Sequence, residues 1–194
     1  MAKRILLING HPDPRPSTFI GALANAYGAG AQAGGHELRR IDIGALDIAF
    51  LQSAAEFAET PRDPAMKAAQ DDIAWAEHMV LAFPLWLGAP PAKVKAFLEQ
   101  TFRYGFALPK ESKGFPRGLL GGRSARVITT MGMPGLIYRV WFGAAGLRAL
   151  EGGILKLSGF SPVRRTIIGN MASMSPDSAS AHLKAIAELG RQAR

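Results

Sequence analysis

The chain has 194 residues, 48% of them apolar and 20% charged, which is enough for a core without covalent staples and too apolar for intrinsic disorder. It contains no cysteine, so disulfides, cysteine-ligated zinc, iron–sulfur clusters and thiol catalysis are excluded, and a reducing, cytoplasmic setting is expected. The 23 Lys and Arg residues outnumber the 15 Asp and Glu residues, for a net charge of +8. The cations are spread along the chain, with neither a basic helix nor basic–aromatic interleaving, so no nucleic-acid partner is expected. No uncharged apolar stretch approaches the ~18 residues of a membrane span, so no transmembrane segment is expected. Lys3 and Arg4 are followed only by Ile5 to Ile8 before polar Asn9, too short an apolar run for a signal peptide.

Strands and helices are expected to alternate. Arg4 to Asn9 is a short apolar run stopped by Gly10 and prolines, and reads as a central strand. Ser17 opens a helical pattern with Ile20, Leu23, Ala24 and Tyr27 on one face, ended by Gly34-Gly35. A second strand is expected over Glu37 to Ile43. Gly44 to Pro64 reads as an irregular insertion with helical fragments. A helix follows over Ala65 to Ala76, a third strand over His78 to Phe83 and a helix over Ala92 to Phe102. Pro109 to Gly122, rich in Gly, Pro and Lys, reads as a loop. The pattern continues with a strand over Ala125 to Thr130, a helix over Leu147 to Leu157, a strand over Val163 to Gly169 and an amphipathic helix over Asp177 to Arg191. This alternation predicts a single α/β domain over residues 1–194: a three-layer, doubly wound, five-stranded parallel sheet, flavodoxin-like, with strand order 2-1-3-4-5.

In such a sheet ligands bind beyond the carboxyl ends of the strands, at the point where strand order reverses, here between strands one and three. Three loops meet there. The first, G-H-P-D-P-R-P-S-T-F, runs into a helix start carrying Ser17 and Thr18, where free N–H groups and the helix dipole favour an anion such as phosphate. Ser17 is equally placed to cap that helix, and Arg15 either to meet phosphate or to face water. The Gly-rich run Gly28 to Gly34 sits at the end of the first helix and not directly after a strand, so it reads as close helix packing and termination and not as a dinucleotide fingerprint. The loop after the third strand, Pro84, Leu85, Trp86, Leu87 and Gly88, is apolar and stiffened by proline, which suits a flat aromatic ligand; Trp86 packed under a neighbouring loop is the alternative. The loop after the fourth strand, T-T-M-G-M-P-G-L-I-Y, offers hydroxyls and accessible backbone to a polar ligand edge, or is an ordinary turn. Phosphate, flat ring and polar edge together describe a flavin nucleotide.

With these motifs the sequence resembles the flavodoxin-like NAD(P)H:quinone oxidoreductase, or diaphorase-like, family. The likeness is carried by Gly10-His11-Pro12 with Ser17, Phe83-Pro84-Leu85-Trp86 with Pro91-Ala92 and Lys95, Tyr104-Gly105-Phe106-Ala107, and Thr129-Thr130-Met131-Gly132, in order over about two-thirds of the chain. The resemblance implies FMN, or FAD, with phosphate contacts from His11, Ser17, Thr18 and Phe19. It implies a ring against Pro84, Leu85, Trp86 and Leu87, completed by Thr129, Thr130, Met131 and Gly132. It further implies NAD(P)H as donor, ping-pong hydride transfer through the flavin to a quinone-like acceptor, and a homodimer with each site near the partner. Tyr138 matches the family's catalytic tyrosine. The histidine expected downstream is missing, since none lies between His78 and His182, and the usual T-T-G-G is T-T-M-G here. Alternatives on the same scaffold are an azo or nitro reductase, and a regulatory or electron-transfer flavodoxin-like protein.

Overall fold

The computed structural model describes residues 1–15, 17–111, 114 and 117–194. Pro16 of the first loop, and Ser112, Lys113, Phe115 and Pro116 of the segment expected as a loop over 109–122, lie outside the described residues.

Five strands, β1 (Arg4–Asn9), β2 (Glu37–Asp42), β3 (His78–Pro84), β4 (Ser124–Thr130) and β5 (Val163–Ile168), form one sheet in the order β2-β1-β3-β4-β5. Every pairing is parallel, with Ile5 opposite His78 across β1 and β3, and His78 opposite Ser124 across β3 and β4. The central strands are apolar on both faces because helices cover both. On one face Leu6, Ile8, Met79, Leu81, Phe83 and Val127 pack against α3 (Pro64–Trp75), α4 (Ala92–Thr101) and α6 (Ala145–Leu150). On the other, Ile5, Leu7, Val80, Ala82 and Ile128 pack against α1 (Phe19–Ala33) and α7 (Pro176–Arg191). Each fully buried Leu, Ile or Phe contributes roughly 1.5–3 kcal/mol. The edge strands β2 and β5 carry exposed Arg39, Arg40, Arg164 and Arg165, which blunts them against further pairing.

Several elements differ from the sequence expectation. Helix α1 begins at Phe19 and its N-cap is Thr18, whose Oγ1 accepts from the Gly21 amide at 3.1 Å; Ser17 lies outside it. The insertion contains a 3-10 turn (Ile43–Ala45) and a single-turn α2 (Ala54–Phe57). It is laid along α4 by three side chains from that helix and its end. Lys93 Nζ donates to the Gly44 carbonyl at 2.8 Å, Gln100 Nε2 to the Ala49 carbonyl at 2.8 Å, and buried Arg103 to the Glu56 carbonyl at 2.9 Å. An unexpected short helix, α5 (Gly135–Val140), follows β4, and the expected helix over 147–157 is α6 continued by a π-helix (Glu151–Lys156).

At the sheet end remote from the strand carboxyl termini, His78 is 1% exposed, stacked on Tyr27 with ring centroids 6.4 Å apart, and bonded through Nδ1 to Ser124 Oγ at 2.8 Å. Its Nε2 and the Tyr27 hydroxyl are buried with no partner among the described residues. Burial first, then Lys3, Arg126 and Arg164, push its pKa down to about 3. The imidazole is therefore neutral in the fold, while the unfolded chain takes up a proton near pH 6.5. Its contribution is complete above that value and is lost as pH falls towards 3, by about 1.4 kcal/mol per unit. Urea denaturation from pH 7 to 4 is expected to show a shallower decline of stability for His78→Gln than for wild type; parallel declines contradict it.

Candidate functional site

The carboxyl ends of β1, β3 and β4 open into a cleft of about 380 Å³ lined by residues of four loops. Its first side is built by β1 and α1. Asn9 fixes the turn that follows: its Nδ2 donates to Asp42 Oδ1 at 2.9 Å and its Oδ1 accepts from the His11 amide at 3.3 Å. Gly10 sits where a Cβ would meet Val94 at 2.9 Å and the Ala82 carbonyl at 3.0 Å, so loop one is drawn tightly onto β3 and α4. His11 Nδ1 is engaged within its own loop, 3.0 Å from the Asp13 amide and 3.3 Å from the Asp13 carbonyl, and the ring's other nitrogen is Nε2. No hydrogen bond to that nitrogen occurs among the described residues. Arg15 is paired with Asp13, donating from Nε at 2.7 Å, and so does not line the cleft.

Thr18 takes the Gly21 amide, and the Ala22 amide bonds the Thr18 carbonyl at 3.0 Å. The amides of Phe19 and Ile20 have no partner among the described residues, and both residues line the cleft. The first turn of α1 holds no acidic residue. Two N–H groups without a described partner, at the positive end of a 15-residue helix and beside a hydroxyl and an imidazole, are a donor set of the kind that can take an anion.

The opposite wall is Pro84, Leu85 and Trp86. The Leu85 amide bonds the Thr130 carbonyl at 2.7 Å, continuing the β3–β4 ladder. Trp86 and Ala89 then exchange backbone bonds of 3.0 Å, closing a two-residue turn with Leu87 at φ 49° and Gly88 at φ 78°. A leucine in the left-handed region is strained by roughly 1–2 kcal/mol. Leu87 projects wholly into solvent and does not line the cleft. Trp86 is 50% exposed and meets His11 edge to face, with centroids 6.0 Å apart. It is therefore not packed under a neighbouring loop.

The β4 loop supplies Thr130, Met131 and Gly132. Thr129 points inward instead, fully buried, with no partner for its Oγ1 among the described residues. Nine of the twelve residues expected around the ligand thus meet in one cleft; Ser17, Leu87 and Thr129 lie beside it. Two lining residues were missed. Ile20 carries the signal of a core helix position, and Met171 comes from the loop after β5, which neighbours the β4 loop only because of the strand order.

Tyr138 does not line this cleft. It is 1% exposed, its hydroxyl donates to the Gly88 carbonyl at 3.0 Å, and it accepts from the Leu147 amide at 3.4 Å. Burial raises its pKa. Together with Gly146, where a Cβ would collide with the Gly88 carbonyl, Tyr138 clamps the Trp86–Ala89 turn to α6.

A five-stranded parallel sheet in this order, with a phosphate-ready helix start facing an apolar wall at the switch point, defines a flavodoxin-like protein. The profile of the flavodoxin-like fold matches residues 3–192, and the chain belongs to that family. A curated relative, a ribosyldihydronicotinamide dehydrogenase-like protein of Penicillium crustosum, is 25% identical over 156 residues, which are 66% of this chain and 57% of the relative. The chain thus spans little more than half the length of that relative. Among solved structures, the NAD(P)H:quinone oxidoreductase of Methanothermobacter marburgensis superposes with a TM-score of 0.81 at 19% identity, covering 100% of both chains. An FMN-dependent NADH-azoreductase of Bacillus anthracis, solved in complex with FMN, gives 0.80 at 15% identity, covering 99% of this chain and 98% of that one. At these identities the two structures establish the fold. No helix among the described residues is long and apolar enough to cross a membrane.

The geometry gives Tyr138 a clamping role. Tyr138→Phe is expected to cost about 1–3 kcal/mol, because the buried Leu147 amide and the half-buried Gly88 carbonyl lose their partner, read as a lower urea midpoint at unchanged m. Undiminished stability would instead mean that the hydroxyl is not committed to the turn.

Proposed function

We propose that the chain is a flavin-dependent NAD(P)H oxidoreductase that passes two electrons to a quinone-like acceptor, with FMN as its cofactor. One observation carries this reading: two unpartnered helix-start amides, Thr18 and His11 share a single cleft with a flat apolar wall of Pro84, Leu85 and Trp86. The amides of Phe19 and Ile20 would take the phosphate, with Nε2–H of His11 as a further donor. Pro84 to Trp86 would lie against the ring, with Met131 and Met171 shaping the slot and backbone groups from Thr130 to Gly132 meeting the polar edge. Bound flavin supplies the two-electron chemistry; the protein supplies position and exclusion of water. One apolar slot admits donor and acceptor in turn, so turnover is ping-pong. Tyr138 acts here by holding the Trp86 turn rather than by touching the reacting atoms.

The solvent-exposed apolar residues Leu136, Ile137, Val140, Trp141 and Phe142, on and just after α5, support the homodimer that the resemblance implies. The likeness to an azoreductase keeps azo compounds as the alternative acceptor class.

Purified protein is expected to carry a flavin absorption spectrum that bleaches on mixing with NADH or NADPH. No bound flavin, or a flavin that neither dinucleotide reduces, overturns the proposal. The mass of the released cofactor distinguishes FMN from FAD. Because Trp86 is half exposed and contributes little to the core, Trp86→Ala is expected to weaken FMN affinity at least tenfold while lowering stability by about 1 kcal/mol or less. Equal losses in FMN titration and thermal unfolding would make Trp86 a packing residue.

A further inference from the structure

A second cavity, of about 570 Å³, lies between α5 and β5 and is lined by Leu136, Arg139, Arg165, Ile167 and Asn170 over a floor that includes Gly135 and Gly169. We propose that it receives the 2′-phosphate of the nicotinamide donor and makes NADPH the preferred reductant. This inference rests on the oxidoreductase reading above and extends it to the donor.

The cavity adjoins the ring cleft. Gly132 and Met171 line the cleft, while Gly135 and Asn170 line the cavity, so only the turn at 132–135 and the step from 170 to 171 separate them. The backbone there is closely laid: a Cβ on Gly169 would stand 2.7 Å from the Met133 carbonyl oxygen. The two anion sites fall at opposite ends of the cleft. The start of α1 beside β1 is taken by the cofactor's phosphate, and a dinucleotide with its nicotinamide in the slot has its charged remainder free to leave towards β5.

The charges in this cavity suit a phosphomonoester. Arg139 is exposed and has no hydrogen bond or ion pair among the described residues. Arg165 forms an ion pair with Glu151, its Nη2 3.1 Å from Oε2, and that carboxylate is 6% exposed. Two guanidiniums against one buried carboxylate leave the cavity with a net positive charge. Arg164, the next residue on β5, projects to the other face of the sheet and does not line it. Forked guanidinium donors match the oxygens of a phosphate, which carries close to two negative charges at neutral pH, better than they match a hydroxyl. A ribose without the 2′-phosphate leaves Arg139 unpaired.

The test is calorimetric titration of the holoprotein with adenosine 2′,5′-bisphosphate, 5′-AMP and inorganic phosphate at fixed ionic strength. The bisphosphate is expected to bind at least tenfold more tightly than 5′-AMP or inorganic phosphate. Arg139→Ala is expected to remove that margin and to lower the NADPH-to-NADH ratio of kcat/KM at least tenfold. Because Arg139 is exposed and outside the core, the variant folds. Equal binding of the three probes, or a margin that survives in Arg139→Ala, overturns the inference. Bleaching of the flavin by NADH in a protein that shows no such margin leaves the oxidoreductase standing without it. A margin that depends on Arg139 in a protein whose flavin neither dinucleotide reduces supports the phosphate site while the oxidoreductase reading fails.

Discussion

The backbones of α1 and α7 touch, and the position of the site follows from that contact. Gly30 of α1 and Gly34, its C-cap, lie so close to the carbonyls of Ala187 and Arg191 that a Cβ on either would overlap them, and Gly190 of α7 meets the Tyr27 carbonyl in the same way. Three glycines therefore set the distance between the two helices that cover one face of the sheet. A methyl group at any of them would push α1 off α7, at a cost of about 1–3 kcal/mol for overpacking. It would also move the helix start, with the free amides of Phe19 and Ile20, relative to β3. At the other end of that junction Gly10 holds loop one against Val94 and the Ala82 carbonyl, so the anion site is fixed from both directions.

The proposed ring wall is held differently. Its backbone is tied down by the Leu85–Thr130 bond, the Trp86–Ala89 turn and the Tyr138 hydroxyl, and Leu85 joins the core, while the side chains beyond it stay out of the core. Leu87 is fully exposed and Trp86 half exposed, while the fold supports a left-handed leucine at the tip. Strain and exposed aromatic surface in a rigidly held turn are costs to stability alone, and a ligand that covers the indole offsets them. The fold thus fixes the main chain of the wall and leaves the apolar surface of Trp86 and Leu87 uncovered.

These two modes of support explain what the sequence reveals. The apolar runs of β1, β3 and β4, buried on both faces, give the sheet and its order directly, and the order places the cleft. The glycines from Gly28 to Gly34 were legible as helix packing because they sit at the end of a helix rather than directly after a strand. The choice between Ser17 and Thr18 as cap was not legible, since both are good caps and a one-residue shift of the helix start decides between them. Met171 was hidden because its loop reaches the cleft only through the pairing of β4 with β5. Thr129 was read as a ligand group because strand periodicity makes alternate residues face opposite ways, and the phase could not be set from one loop.

Helix α5 escaped detection for a related reason. An amphipathic pattern arises when one face of a helix meets a core and the other meets water. In α5 the buried face is reduced to Tyr138, which bonds the Gly88 carbonyl; Arg139 turns to the cavity beside β5, and Leu136, Ile137 and Val140 stand in solvent. Six residues divided among a clamp, a charged cavity and an uncovered apolar surface cannot show a 3.6-residue period. The lack of pattern therefore has a physical cause: Tyr138 alone enters the core, and its neighbours are placed by separate surroundings rather than by one buried stripe.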